Sequence, residues 1–271
     1  MLRLPTPLPL RDAETDFVWV IVPFSRPENL PRVLANFARQ KFPFKKLVLV
    51  ANGSAKRLSD GAAPLASWDK LLLTSDAHQS DAKNIALHEI RKRGGGFTVV
   101  MDDDDWYGPQ FLTEVVGYAR TFDVIGKARH FVSVDGGLWL CSREQRGHKQ
   151  SWLTGGTIAC WAENSPDYPR VSYGEDAEFC TRAERHGMRI FGTDVYHYLY
   201  RRESASSHAW NISSEDLRLH ESAKRALDLG AVDFDIVSGL KLECHGEVLA
   251  PRREDADTMA PPPPREYHVA P

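Results

Sequence analysis

Apolar runs and amphipathic stretches alternate along the chain from residue 17 onward. Phe17-Val-Trp-Val-Ile-Val22 is apolar throughout and closed by Pro23, which reads as a strand covered on both faces. Residues 29–40 follow with Leu30, Val33, Leu34 and Phe37 at helical spacing, and Pro31 suits a first helical turn. Leu47-Val-Leu-Val50 and Leu71-Leu-Leu73 are the next two strands, the former ending in the turn Asn52-Gly-Ser54. Ser80 is a candidate cap for a helix over 80–93, with Ala82, Ile85, Ala86 and Ile90 as its buried stripe. Gly94-Gly-Gly96 stops that helix. A fourth apolar run begins at Phe97, and this alternation predicts a parallel sheet with right-handed crossovers.

The second half continues the pattern less regularly. A helix is expected over 109–120 and strands over 123–142, with Asp135-Gly-Gly137 as a hairpin turn. Thr157-Ile-Ala-Cys-Trp161 is a strand, and 175–186 is a helix with Ala177, Cys180 and Ala183 facing inward. Strands are expected over 188–191 and 195–200, then an amphipathic helix over 213–229 capped by Ser213-Ser-Glu-Asp216. Residues 1–15 read as a flexible lead-in. Residues 251–271, with Pro261-Pro-Pro-Pro264, read as a disordered or polyproline-like tail. The folded domain is therefore expected over 16–250.

The fourth strand carries the chemistry. Phe97-Thr-Val-Val-Met101 runs straight into Asp102, Asp103, Asp104 and Asp105, and then Trp106. An acidic run is by default a solvated loop. Here it lies at the carboxyl end of a buried strand, the edge of an open α/β sheet where ligands bind. Four adjacent carboxylates repel one another unless water or a cation offsets the charge. Mg²⁺ is commonly held by one or two carboxylates together with substrate phosphates. Gly94–Gly96 is not a phosphate loop, because it leads into the opposite end of the sheet.

Composition narrows the class without naming it. With 271 residues there is room for one large α/β domain, and a formal net charge of −3 argues against a general nucleic-acid binder. The cysteines Cys141, Cys160, Cys180 and Cys244 form no CxxC pair and read as reduced thiols. No apolar run reaches the roughly 18 residues of a membrane helix, so a cytoplasmic protein with no integral membrane segment is expected.

Four stretches have a pattern in common. They are Val20-Ile-Val-Pro-Phe-Ser-Arg-Pro-Glu-Asn-Leu30, Ala51-Asn-Gly-Ser54, Ser80-Asp-Ala-Lys-Asn-Ile-Ala86 and the acidic run. In this order they resemble a glycosyltransferase of the GT-A fold, closest to the large family 2 group, from about Phe17 to about His208. The resemblance implies a GT-A-like, Rossmann-type mixed sheet flanked by helices, in a single α/β domain with a C-terminal helical and strand extension. The nucleotide-binding half would be about 16–108 and the acceptor half about 109–250. Pro23, Phe24, Ser25 and Arg26 then fall where the nucleotide-sugar lies. Asn52 stands where the family usually has an acid that contacts the base; an amide can also donate or accept there. Lys83 stands in place of an arginine, facing the diphosphate. Asp102 and Asp104 are in register with the Asp-x-Asp motif, which implies Asp104 on Mn²⁺ or Mg²⁺ and Asp102 near the ribose or a metal-bound water, with Asp103 and Asp105 either as helpers or as shapers of the turn before Gly108-Pro109.

Downstream, Gly155-Gly156-Thr157 precedes a strand and Tyr173-Gly-Glu-Asp176 opens a helix. In the family the acids at this position supply the base of inverting enzymes, which implies Asp176 as base, Glu175 as support and Gly156 at the donor. A sugar hydroxyl needs a carboxylate to accept its proton as it attacks. The family's histidine ligand corresponds to His197, with His208 as the alternative. Arg201 and Arg202 are candidates for the diphosphate, and Trp106 and Trp152 for the pocket wall. The implied partners are a nucleotide-sugar donor, most often a UDP-sugar, and a hydroxyl acceptor that the sequence leaves open among saccharide, lipid carrier, protein and modified nucleobase. A homodimer is also open. Two other readings stand beside this one: a nucleotidyltransferase, for which Pro23-Phe-Ser-Arg26 lacks the glycine-rich loop, and a catalytically silent binding module.

Overall fold

The computed structural model describes residues 17–53, 55, 70–75, 79–142, 152–171, 174–202, 213, 215 and 227–240. The central sheet is built on β1 (Val18–Phe24), every residue of which is buried. Its side chains alternate between two cores, as a strand's period of two demands. Val18, Val20, Val22 and Phe24 join the core formed with α1 (Leu30–Arg39) and α3 (Phe111–Tyr118). Trp19 and Ile21 join the core formed with α2 (Gln79–Lys92) and α4 (Glu175–Arg185). Helices therefore cover both faces, which is why the strand reads as continuously apolar.

Beside β1 lie β2 (Lys45–Asn52) and then β3 (Lys70–Ser75) on one side, and β4 (Phe97–Val100) on the other, all parallel. The expected parallel sheet ends there. The next strand is β9 (Ala159–Trp161), antiparallel to β4, followed by β6 (Val124–Lys127) and β10 (Ile190–Thr193). The order β10-β6-β9-β4-β1-β2-β3 is thus a mixed sheet. A second sheet joins β5 (Trp106–Tyr107), β7 (Arg129–Val134), β8 (Gly137–Ser142), β11 (Tyr198–Arg202) and β12 (Leu227–Ala231) in the order β12-β8-β7-β11-β5. The hairpin turn at Asp135-Gly136 is where the sequence placed it, with φ of 51° and 75°.

Two expectations change. The helix begins at Gln79, and Ser80 does not cap it: Ser80 lies inside the helix, is buried, and its hydroxyl has no hydrogen-bond partner among the described residues. Lys83 and Leu87 are buried on that helix, whereas Ile85 is half-buried. The helix expected over 213–229 does not reach its end, because Leu227 and Asp228 pair with Leu140 and Trp139 of β8. Cross-strand pairing there overrides the helical pattern. A short helix, α5 (Phe234–Val237), follows. The lead-in, the tail, Ser54, Tyr173 and His208 lie outside the described residues. Cys141, Cys160 and Cys180 are free thiols, as expected. No described helix is long and apolar enough to cross a membrane.

The fold aims two loops at one place. Ile21 of β1 pairs with Val100 of β4, so the loops leaving these parallel neighbours emerge side by side. Helix α1 then grips the acidic loop by its backbone. Asn36, only 3% exposed, donates from Nδ2 to the Asp105 carbonyl at 2.9 Å and accepts from the Tyr107 amide at 3.2 Å. Gln40 donates to the Gly108 carbonyl at 3.0 Å and accepts from Leu112 N at 3.1 Å. Arg32 donates to the Asp104 carbonyl at 3.0 Å. Asn36→Ala strands a buried carbonyl and a buried amide, so it should destabilise the protein by roughly 3 kcal/mol. Urea denaturation measures this, and a loss under about 1 kcal/mol would show that the clamp is dispensable.

Candidate active site

The four aspartates are sorted by their partners. Asp105 points inward and is fully buried, accepting from Tyr198 Oη at 2.6 Å and Arg201 N at 3.0 Å, with Arg202 Nη1 at 3.5 Å. Burial, with the charges of Asp104 and Asp102, pushes its carboxyl well above the usual range despite Arg202. It therefore ties the acidic loop to the second sheet and is not offered to a ligand. Arg202 also stacks on Tyr200, at 3.1 Å from the ring centre, so it is engaged within the fold.

Asp103 and Asp104 face the loop after β1. A single nitrogen, Nη2 of Arg26, lies 2.8 Å from Asp103 Oδ1 and 2.8 Å from Asp104 Oδ2. Burial opposes the Arg26 charge, but the two carboxylates outweigh it and raise its pKa. Burial and the neighbouring Asp104 raise the Asp103 carboxyl.

Asp102 faces the other way, toward α2 and α4. Its Oδ1 accepts from Gln79 Nε2 at 3.2 Å. Its amide donates to Tyr107 Oη at 2.6 Å, and that hydroxyl donates to the Gly156 carbonyl at 2.6 Å. The carboxylate lies directly over Gly156: a Cβ there would come within 2.5 Å of Asp102 Oδ2. A Cβ on Gly155 would meet Asp176 Cβ at 3.3 Å. One Gly-Gly turn thus separates the acidic run from the first turn of α4, and a side chain at Gly156 would displace Asp102.

Lys83 closes this side. It is buried, with Nζ 2.5 Å from Glu175 Oε1 and 5.0 Å from the centre of the Tyr168 ring. Burial alone would lower its pKa, but the charges of Glu175, Asp102 and Asp176 outweigh that and raise it. The sequence expectation aimed Lys83 at a diphosphate; its ammonium is instead held by Glu175. Burial, joined by the charges of Asp104, Asp103 and Glu175 and opposed by Lys83, pushes the Asp102 carboxyl up to about 7.

The remaining candidates are spread around this centre. Pro23 and Phe24 are buried, and Phe24 packs in the core under α1, so exposed Ser25 and half-buried Arg26 form the surface of that loop. Gly53 stacks against Ser25, with its Cβ position 3.6 Å from Ser25 Cβ, which brings the ends of β1 and β2 together. Asn52 is half-buried, and its Oδ1 is a buried acceptor with no hydrogen-bond partner among the described residues. Trp152 is half-buried just before the Gly-Gly turn.

Trp106 is placed away from the acids. In an extended pair adjacent side chains point to opposite sides. Tyr107 reaches Asp102 and Gly156, so Trp106 turns outward, onto Phe234 at 5.1 Å and beneath Arg39 at 5.4 Å. His197 lies behind the same loop, with φ of 66°, and a Cβ on Gly108 would come 2.8 Å from its Nδ1. Burial, with the charges of Lys127 and Lys41, lowers its pKa to about 4. Among the described residues no three His, Cys, Asp or Glu side chains converge as a metal cage, so His197 is not gathered with Asp104 and a second carboxylate. Sequence reasoning missed Gln79, and it placed Tyr107 near the cleft without its role as the link between Asp102 and Gly156.

A half-parallel mixed sheet, with an acidic strand end at its centre and a smaller second sheet beside it, defines a GT-A-like fold. Residues 18–170 match the model of Glycosyl transferase family 2, and the chain belongs to that family. Among solved structures it is similar to a mannosyltransferase, PcManGT from Pyrobaculum calidifontis, in complex with GDP-Man and Mn²⁺, at 19% identity and a TM-score of 0.50, covering 73% of this chain and 59% of that one. It is also similar to GalNAc-T7 with UDP, GalNAc and Mn²⁺, at 12% identity and a TM-score of 0.53, covering 80% of this chain and 51% of that one. At these identities the likeness is one of fold, and this chain spans less than two thirds of either structure. No curated protein matches the sequence.

The Asp102 environment has a consequence for stability. Its folded pKa, about 7, lies above the ordinary 3.8, so between about pH 4 and pH 7 the folded state binds more protons than the unfolded one. This group's contribution to stability is therefore full below about pH 4 and falls as pH rises through about 7. In metal-free protein Asp102→Asn should flatten the decline between pH 5 and pH 8. Thermal melts across that range test it; an unaltered slope would mean that Asp102 is ionised throughout.

Proposed function

We propose that this chain transfers a glycosyl group from a nucleotide-sugar to a hydroxyl acceptor, with inversion, using Asp176 as general base. The observation that carries this reading is the Gly155-Gly156 turn, which packs Asp176 on one residue and Asp102 on the next. Donor-side and base-side carboxylates are thereby held on one small surface, as a single displacement requires.

Asp104 is the residue that would hold a divalent ion, with Asp103 beside it. The donor set fits: both carboxylates converge on a cationic nitrogen, so this corner already accommodates positive charge. One or two carboxylates completed by phosphate and water oxygens is a usual way to hold Mg²⁺ or Mn²⁺. When bound, such an ion supplies neutralisation of charge on the departing diphosphate. The solved structures similar in fold hold Mn²⁺ together with GDP-Man or UDP, which supports a divalent ion as the cofactor.

The side chains of the protein account for the rest. Asn52, whose buried Oδ1 has no partner among the described residues, accepts from an N–H on the edge of the base, which suits the imide of a UDP-sugar. Ser25 and Gly53 form the floor beside it. Gln79 and the Tyr107 hydroxyl fix Asp102 toward the sugar-bearing end. Lys83 restrains Glu175, which leaves Asp176 as the carboxylate that takes the acceptor's proton. The acceptor oxygen forms its bond to the anomeric carbon as the bond from that carbon to the phosphate oxygen breaks, and the electron pair leaves with the diphosphate. Attack and departure on opposite faces invert the anomeric configuration.

Asp176→Asn should lower kcat by about 10²- to 10⁴-fold while donor affinity stays within about threefold. Turnover with a panel of nucleotide-sugars, alongside calorimetric donor binding, makes the measurement. Loss of binding together with turnover would remove Asp176 from the base role. Chelation by EDTA should abolish turnover, and Mn²⁺ should restore it.

A further inference from the structure

Arg26 belongs to the nucleotide-binding loop by sequence, yet its guanidinium serves the acidic run. One nitrogen bridges Asp103 and Asp104, two residues that would otherwise repel each other with little water to screen them; their side chains are 8% and 13% exposed. Toward these two acids the guanidinium presents that one shared nitrogen, not the parallel pair of bonds that makes an arginine–carboxylate contact strongest. Arg26 itself is 26% exposed and stands on a loop just before a 3-10 turn, so its side chain has solvent to move into.

We propose that Arg26 is an internal counter-cation that competes with the divalent ion for Asp104 and transfers its charge to the donor's diphosphate when ion and nucleotide arrive together. This inference rests on the assignment of Asp104 as the ion's ligand. A guanidinium and a divalent ion on one carboxylate repel each other, so an ion arriving alone must displace Arg26 into water. An ion arriving with a nucleoside diphosphate gives the released guanidinium a new anionic partner. Ion and nucleotide binding are therefore positively coupled, and by linkage each strengthens the other by the same factor. The same residue keeps the site electrically balanced before the donor binds.

The test is Mn²⁺ binding followed by the electron paramagnetic resonance of the free ion, with and without saturating UDP or GDP. Wild-type protein should bind Mn²⁺ weakly alone and at least about tenfold more tightly with one of the nucleotides. Arg26→Gln should bind Mn²⁺ alone about tenfold more tightly than wild type, with the coupling to nucleotide reduced toward unity. Arg26→Lys, which keeps the charge but loses the planar fork, should fall between them and serves if the glutamine variant fails to fold. Mn²⁺ affinity that is unchanged or weaker in the folded variants overturns the proposal. If neither nucleotide binds wild type, with or without Mn²⁺, the glycosyl-transfer reading fails instead, and the nucleotide-free comparison still decides the role of Arg26.

Discussion

Four carboxylates in succession at the end of a buried strand are the constraint on which the structure around the site depends. Each must be taken partly out of water, and each raises the cost of ionising its neighbours. The fold meets this cost by giving the acids different surroundings. Asp105 turns into the protein against Tyr198, Arg201 and Arg202, Asp103 and Asp104 turn toward Arg26, and Asp102 turns toward Gln79 and Lys83. Helix α1 holds the backbone between them through Arg32 and Asn36. Without this sorting the loop would be a repelling tangle of like charges.

The sorting also builds a division of labour. Asp105 ties the acidic loop to the second sheet through Tyr198 and Arg201. On the proposed function, the Arg26 side, where one guanidinium faces two carboxylates, takes the metal and diphosphate. The Lys83 side is buried and balanced against Asp102, Glu175 and Asp176, and on the same proposal it takes the sugar and the proton acceptor. The Gly155-Gly156 turn separates these functions by the width of a backbone. Close packing there requires glycine, because a side chain on Gly156 would occupy the place of Asp102.

Much of this was legible in the chain, for identifiable reasons. Uninterrupted apolar runs locate buried parallel strands, and the residues that end them lie on one edge, which brought Arg26, Asn52 and the acids together. The glycines at 94–96 were readable as a helix stop, and all three have positive φ. Trp106 and Tyr107 were not separable, because two residues of strand carry no alternation to read; pairing with β11 decides which one faces the acids. Gln79, Asn36 and Tyr198 act through hydrogen bonds to residues far along the chain, which leave no local pattern. The antiparallel insertion of β9 and the pairing of β12 are likewise choices of tertiary partners.

Burial decides which aspartate is available to a ligand, and that can be observed directly. Crystals of the protein grown with Mn²⁺ and a nucleoside diphosphate, measured at the manganese absorption edge, locate the ion without reference to activity. The predicted result is a single anomalous peak bonded to the Asp104 carboxylate and to diphosphate oxygens, with Arg26 moved off Asp104. A peak on His197 away from the acidic loop, or a nucleotide bound with no ion at Asp104, would contradict it.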